Sequence, residues 1–124
     1  MKIKIVKQEE DTVIAKSKYG IFKAVWCSSE LGKKNCFVEL DSSDVITPQD
    51  INLVSYGSSY AIEHYHQGVC ITGYVEEIEG GIMVLRIGTS LMMLSLSPEC
   101  DYANFKQNYV KVRLNNIKLY DMGL

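Results

Sequence analysis

Residues 68–97, GVCITGYVEEIEGGIMVLRIGTSLMMLSLS, decide the fold. Three apolar runs rich in Val, Ile, Leu and Met are punctuated by Gly80-Gly81 and by Gly88-Thr89-Ser90. Short runs of this kind, bounded by residues that accept tight turns, read as strands joined by hairpins. The stretch therefore predicts a three-stranded antiparallel meander over Val69 to Ile78, Gly81 to Gly88 and Leu91 to Ser97, with the rest of the chain closing around it.

Downstream, Pro98 to Asn108 is a polar loop, and Tyr109–Leu114 and Ile117–Tyr120 are two further strands. Asn115-Asn116 between them suits a tight turn. Upstream, Tyr60 to His66 reads as a strand with Ala61, Glu63 and Tyr65 on one face and Tyr60, Ile62, His64 and His66 on the other. Ser55 to Ser59 is the boundary between a first half, 1–54, and a second half, 60–124, and is too short for an interdomain linker.

The first half opens with alternation that puts Ile3, Ile5 and Lys7 on one side and Lys2, Lys4 and Val6 on the other. Thr12–Lys16, Ile21–Trp26 and Cys36–Asp41 follow as strands. Ser28 to Asn35 is a loop with Gly32 as its positive-φ position. Asp41 to Asp50 is irregular, and Thr47-Pro48 can start a short helical turn. The halves share a rough plan, but no internal repeat is legible.

About ten short strands with turn signals roughly every 8–12 residues and at most one or two helical turns indicate an all-β domain. The expected architecture is a single-domain, partly closed antiparallel β-barrel or sandwich.

Composition narrows the functions. The chain has 124 residues, 47% hydrophobic and 23% charged, with a formal net charge of −2. This is one globular domain, and its overall charge disfavours nucleic acid as a partner. No run approaches the ~20 apolar residues of a membrane helix. MKIKIVKQEED does not resemble a secretion signal, so the expected location is the cytoplasm, with Cys27, Cys36, Cys70 and Cys100 reduced.

Few groups suggest chemistry. His64 and His66 are the only histidines, and H-x-H on a strand can hold a transition metal if Cys70, Glu63 or Glu30 completes the set. No nucleophile pattern accompanies them and no Gly-rich phosphate loop is present. No cofactor or metal is therefore expected, nor enzymatic activity. Glu76, Glu77 and Glu79 form a charged hairpin tip able to meet a basic partner, and Glu39, Asp41 and Asp44 form a second acidic group. Eight tyrosines and Trp26 are many for this length. Most read as barrel fillers, with Tyr74 and Tyr65 as candidate interface anchors. Met83, Met92 and Met93 read as core packing.

Taken together, G-x-F-K-A-x-W (Gly20 to Trp26), V-E-L-D (Val38 to Asp41), Asp50-Ile51, V-x-I-x-G-x-V-E-x-I (Val69 to Ile78), V-L-R-I-G-x-S (Val84 to Ser90), Y-V-K-V (Tyr109 to Val112) and I-K-L-Y (Ile117 to Tyr120) resemble small bacterial β-barrel proteins. The pattern is similar, more loosely, to immunity proteins of toxin systems, including contact-dependent growth inhibition. The resemblance implies an antidote that binds and neutralises a cognate toxin domain, often a nuclease, by direct association. Glu76, Glu77, Glu79, Glu39, Asp41, Asp44, Tyr74 and Tyr65 are then the expected contacts. The alternative is an OB-like barrel binding single-stranded nucleic acid or a small ligand. Lys2, Lys4, Lys16, Lys18 and Lys23 would supply its charge, joined by Lys33, Lys34, Lys106, Lys111 and Arg113 if the fold gathers them.

Overall fold

The structure is a computed structural model that describes residues 1–28, 34–66, 68–98 and 100–123. Gly32, Glu30 and Lys33 lie outside the described residues. Twelve strands are described: β1 (Lys2–Glu9), β2 (Thr12–Ser17), β3 (Gly20–Trp26), β4 (Asn35–Asp41), β5 (Val45–Ile46), β6 (Ile51–Leu53), β7 (Ala61–Tyr65), β8 (Gly68–Glu79), β9 (Ile82–Ile87), β10 (Ser90–Leu96), β11 (Tyr109–Leu114) and β12 (Lys118–Asp121). Two 3-10 turns, Pro48–Asp50 and Ala103–Phe105, are the only helical pieces among these residues. The all-β class expected from turn spacing is what the chain adopts. β8, β9 and β10 form the expected antiparallel meander.

A closed barrel and a second, barrel-like seven-stranded sheet share one core. In the first, β1, β2, β3, β12 and β4 close in that order. In the second, β8, β9 and β10 pair in sequence and β11 returns to β8. The β5–β6 segment, broken by the Pro48 turn, joins the two remaining edges by pairing with β10 and with β11. The closed barrel thus has the strand order 1-2-3-5-4 with its third and fifth strands parallel, and the second sheet follows the same order with the β5–β6 segment in fifth place.

The fifth strands are exchanged. β12, at the end of the second half, lies parallel to β3, with Lys118 opposite Val25 and Leu119 opposite Trp26. β5, from the first half, lies parallel to β10, with Val45 opposite Ser95 and Ile46 opposite Leu96. The two contacts use matching hydrogen bonds: Cys27 N donates to Leu119 O at 2.9 Å, and Ser97 N donates to Ile46 O at 2.8 Å.

The halves are therefore a structural repeat that the sequence does not display. Residues of β1–β3 correspond to residues seventy positions later. The register shift between Ile5 and Lys7 recurs between Val75 and Glu77. Ile5 N reaches Lys34 O at 2.8 Å as Val75 N reaches Asn108 O at 3.0 Å. Buried positions correspond as well: Val13 with Met83, Phe22 with Met92, Ala24 with Leu94, Trp26 with Leu96. Equivalent positions hold different apolar residues, because a barrel interior specifies polarity and volume more than identity.

Three local expectations change. The bulge after Ile5 moves Lys7 to the outer face, opposite Ile14. Met93 faces out, 64% exposed, because Met92 and Leu94 take the inward positions of β10. Val45–Ile46 and Ile51–Leu53 are too short for a periodicity to show, which accounts for twelve strands against ten.

The halves meet closely at Gly20. Its φ is +145°, and a Cβ there would run into the carbonyl of Ile62, whose N–H bonds Tyr19 O at 3.0 Å. Such exchange should make unfolding one event. We expect Trp26 fluorescence and far-UV circular dichroism to report one urea midpoint. Leu119→Ala and Ile46→Ala, both removing side chains buried in the barrel completed by the other half, should each lower that shared midpoint, by about 2–5 kcal/mol of stability. Separate transitions would refute mutual closure.

Candidate functional site

The outer face of the second barrel gathers residues that packing does not require. Opposition across the ladders sets Tyr109 beside Tyr74, Tyr74 beside Arg86, and Arg86 beside Leu91. The next row runs Glu77, Val84, Met93. Directly opposed residues share a face, so aromatic, apolar and charged side chains meet on one surface. Leu91 is 54% exposed there.

Tyr109 is the hub. Its ring meets Tyr74 at 5.2 Å, Tyr56 at 5.9 Å and Tyr60 at 6.1 Å between centroids. Tyr60 continues edge-on to Tyr19 at 6.0 Å. The Tyr19 hydroxyl in turn lies against Gly88, where a Cβ would collide with it and φ is +64°. The result is a tyrosine ridge running from the β2–β3 turn of one barrel to the outer face of the other. Tyr56 projects from the turn at Ser55–Ser58, where Ser58 N bonds Ser55 O at 3.1 Å, and it is 91% exposed.

Charges trim this face. The Arg86 guanidinium stacks 5.1 Å over the Tyr74 ring, and its Nε lies 2.7 Å from Glu76 Oε1. Lys106 Nζ lies 2.9 Å from Glu77 Oε1. The hydrogen bond from Lys106, then that from the Ile78 N–H, hold the Glu77 carboxyl below the usual range. Desolvation, helped by Tyr60, pushes the Tyr109 phenol above the usual tyrosine range.

The other expected contacts divide between roles. Glu79 is exposed at the end of β8, on the same hairpin as Glu76 and Glu77. Glu39 is exposed on β4 opposite Tyr120, on the first barrel. Asp41 Oδ1 accepts from Ser42 N at 2.8 Å. Asp44 accepts from Asn115 N at 2.6 Å, tying the start of the exchanged segment to the β11–β12 turn. Tyr65, 41% exposed, lies apart from the ridge. It lines an open cleft of about 750 Å³ with Asp44, Asp50, His66 and Arg113.

His64 and His66 do not share a strand face: β7 ends at Tyr65, and His66 sits in a turn at φ +50°. Among the described residues no group of three His, Cys, Asp or Glu side chains is placed to hold a metal ion. Among the described residues no disulfide is formed, and burial pushes the Cys70 thiol up.

Tyr74 and the hairpin glutamates, singled out in the sequence, lie on or beside this face. Sequence reasoning did not single out Tyr109, Tyr60, Tyr19, Tyr56, Arg86, Leu91 or Met93 as one surface. Strand parity could have marked Arg86 and Met93 as outward-facing, but the ridge depends on pairings between distant strands. No protein-family model matches the chain, and neither a curated protein nor a solved structure shows significant similarity to it.

Two measurements check this geometry. The neutral Tyr109 phenol is favoured by the fold, so its contribution is present below the ordinary tyrosine value of 10.0 and is lost as pH rises through the raised folded value. Tyr109→Phe should accordingly flatten the fall in melting temperature between about pH 9 and pH 11; an unchanged slope refutes the assignment. In native protein, exposed Cys100 should react with a thiol reagent well before buried Cys36. Equal rates would contradict their placement.

Proposed function

We propose that this chain is a non-catalytic binding protein of the immunity type, which associates with a toxin domain and blocks it, with a nuclease as the expected partner class. The observation that carries the reading is the outer face of β8–β11, where Tyr74, Tyr109, Arg86, Leu91 and Met93 lie together. Buried centres of protein interfaces are enriched in tyrosine, arginine and methionine, which supply large contact areas and amphipathic tips.

Tyr109 and Tyr74 are rigid anchors because their rings already pack on neighbours in the free protein. Little rotamer freedom remains to be lost on association. Glu76, Glu77 and Glu79 form the rim. The pairs Glu76–Arg86 and Glu77–Lys106 give that rim mixed charge, so selection of a basic partner falls mainly to Glu79 and to whichever pairs open on contact. Shape and aromatic area supply the affinity in this reading, and charge supplies orientation.

The test is co-purification with the product of the adjacent reading frame, whose C-terminal domain is the expected toxin. A stoichiometric complex that suppresses toxicity is the expected result. Tyr74→Ala with Met93→Lys should weaken the complex about 100-fold or more while the circular dichroism spectrum is retained. Lysine at Glu76, Glu77 and Glu79 together should weaken it as well, mainly through the association rate. Absence of association, or full affinity in the Tyr74/Met93 variant, overturns the assignment.

A further inference from the structure

The two halves have equivalent interiors and different exteriors. Where the second barrel carries Tyr74, Arg86 and Leu91 in one outward row, the first carries Lys4, Lys16 and Ile21. Where the second carries Glu77, Val84 and Met93, the first carries Lys7, Ile14 and Lys23. Lys2 lies outward on β1 opposite Phe37 of β4. Five of the chain's 13 basic residues thus occupy one barrel face, although the net charge is −2. The overall balance conceals a segregated positive surface.

Folding does not ask for this arrangement. Lys4 and Lys16 are directly opposed across β1 and β2, and like charges so placed are destabilising. Lys7 is neutralised by Glu9 at 3.1 Å, at the far end of the face. Among the described residues, Lys2, Lys4, Lys16 and Lys23 have no ion-pair partner, and all four are exposed. An external anion would relieve their mutual repulsion.

We propose that the outer face of β1–β3, with the adjoining end of β4, binds single-stranded nucleic acid. The ammonium groups are spread over neighbouring strands about 4.8 Å apart, a distributed array suited to successive phosphates rather than to one small anion. Between them stand apolar side chains: Ile21 is 56% exposed, Phe37 42%, and Ile14 is half-buried. Unstacked bases can lie on such a surface while the backbone meets the lysines. A duplex keeps its base faces stacked inside and gives these residues no partner. The surface is distinct from the ridge assigned to protein binding, and neither assignment depends on the other.

The test is fluorescence anisotropy with a labelled mixed-sequence single strand, in which wild-type protein should bind at about 50 mM salt and lose affinity steeply by about 200 mM. At about −0.7 in log–log slope per neutralised phosphate, four lysines should give a slope near −3. The triple variant Lys4→Glu, Lys16→Glu, Lys23→Glu should bind at least tenfold more weakly and with a shallower slope. Its circular dichroism and melting curve establish that it folds. Ser95→Ala, at an exposed position of β10 outside this face, should bind like wild type. Wild-type protein that does not bind at low salt, or a folded triple variant that binds equally well, overturns the proposal. Equal competition by duplex of the same sequence or by polyphosphate also overturns it, reducing the face to a generic anion surface.

Discussion

Neither half of this chain can close its own barrel. A five-stranded barrel of this order needs a fifth strand parallel to the third, and parallel partners cannot be joined by a tight hairpin. Here the crossover is the other half of the molecule: β4 leads into β5, which extends the second sheet beside β10, and β11 leads into β12, which closes the first barrel. Closure brings distant residues together, Leu119 onto Trp26 and Ile46 onto Leu96, both within one continuous core. Bringing such remote segments together costs loop entropy, offset by burial of these side chains and by local bonds that hold the exchanged segment in place. Thr47 N donates to Asp50 at 2.9 Å, Arg113 Nη2 donates to Gln49 O at 2.6 Å, and Asn115 N donates to Asp44. The Tyr102 hydroxyl donates to Ile46 O at 2.9 Å from beneath.

The paired bulges carry the second constraint. One extra residue at Val6, and one at Glu76, reverses the facing of everything that follows on that strand. Without the first bulge Lys7 would point into the barrel. With it, Lys7 joins the outer surface and Gln8 lies opposite buried Val13. The corresponding shift in β8 sends Glu77 outward to Lys106 and turns Ile78 toward Met83. A strand that must serve two sides of a small barrel has to bend sharply, and the bulge supplies that bend. The distribution of surface charge follows from it.

Much of the fold was legible because alternation and turn chemistry are local. Phe22, Ala24 and Trp26 face inward as their spacing requires, and Gly80-Gly81 turns the hairpin at positive φ. Thr47-Pro48 starts a 3-10 turn where the cap signal placed a helical one. The repeat was not legible, since Ala15 answers to Leu85 and Trp26 to Leu96, pairs alike in burial but not in identity. The exchange was not legible either. A two-residue strand such as Val45–Ile46 has no period to read, and its partner lies fifty residues on. The same limit applied to the ridge: Tyr19, Tyr60 and Tyr109 are far apart in sequence and meet only because β3 packs on β7 and β11 on β8.

The acidic residues are where local reading and three-dimensional role diverge most. As sequence, Glu76-Glu77, Asp41 and Asp44 form acidic clusters available to a basic partner. In the fold, Glu76 and Glu77 pair with Arg86 and Lys106, and Asp41, Asp44 and Asp50 accept backbone hydrogen bonds at turns around the exchanged segment. Asp101 and Asp121 do the same at later turns, to Ala103 N and Gly123 N. A carboxylate already holding a turn contributes its charge to the surrounding field, but it cannot turn outward to a partner without releasing that turn. The basic residues show the opposite pattern, with four lysines of one barrel face held by no acid among the described residues. A mild net negative charge therefore coexists with one face, on β1–β3, whose unpaired charge is positive. Under the proposed reading, recognition by the second unit would rest on its tyrosines, Leu91 and Met93 more than on long-range attraction, whereas electrostatics would dominate on the first.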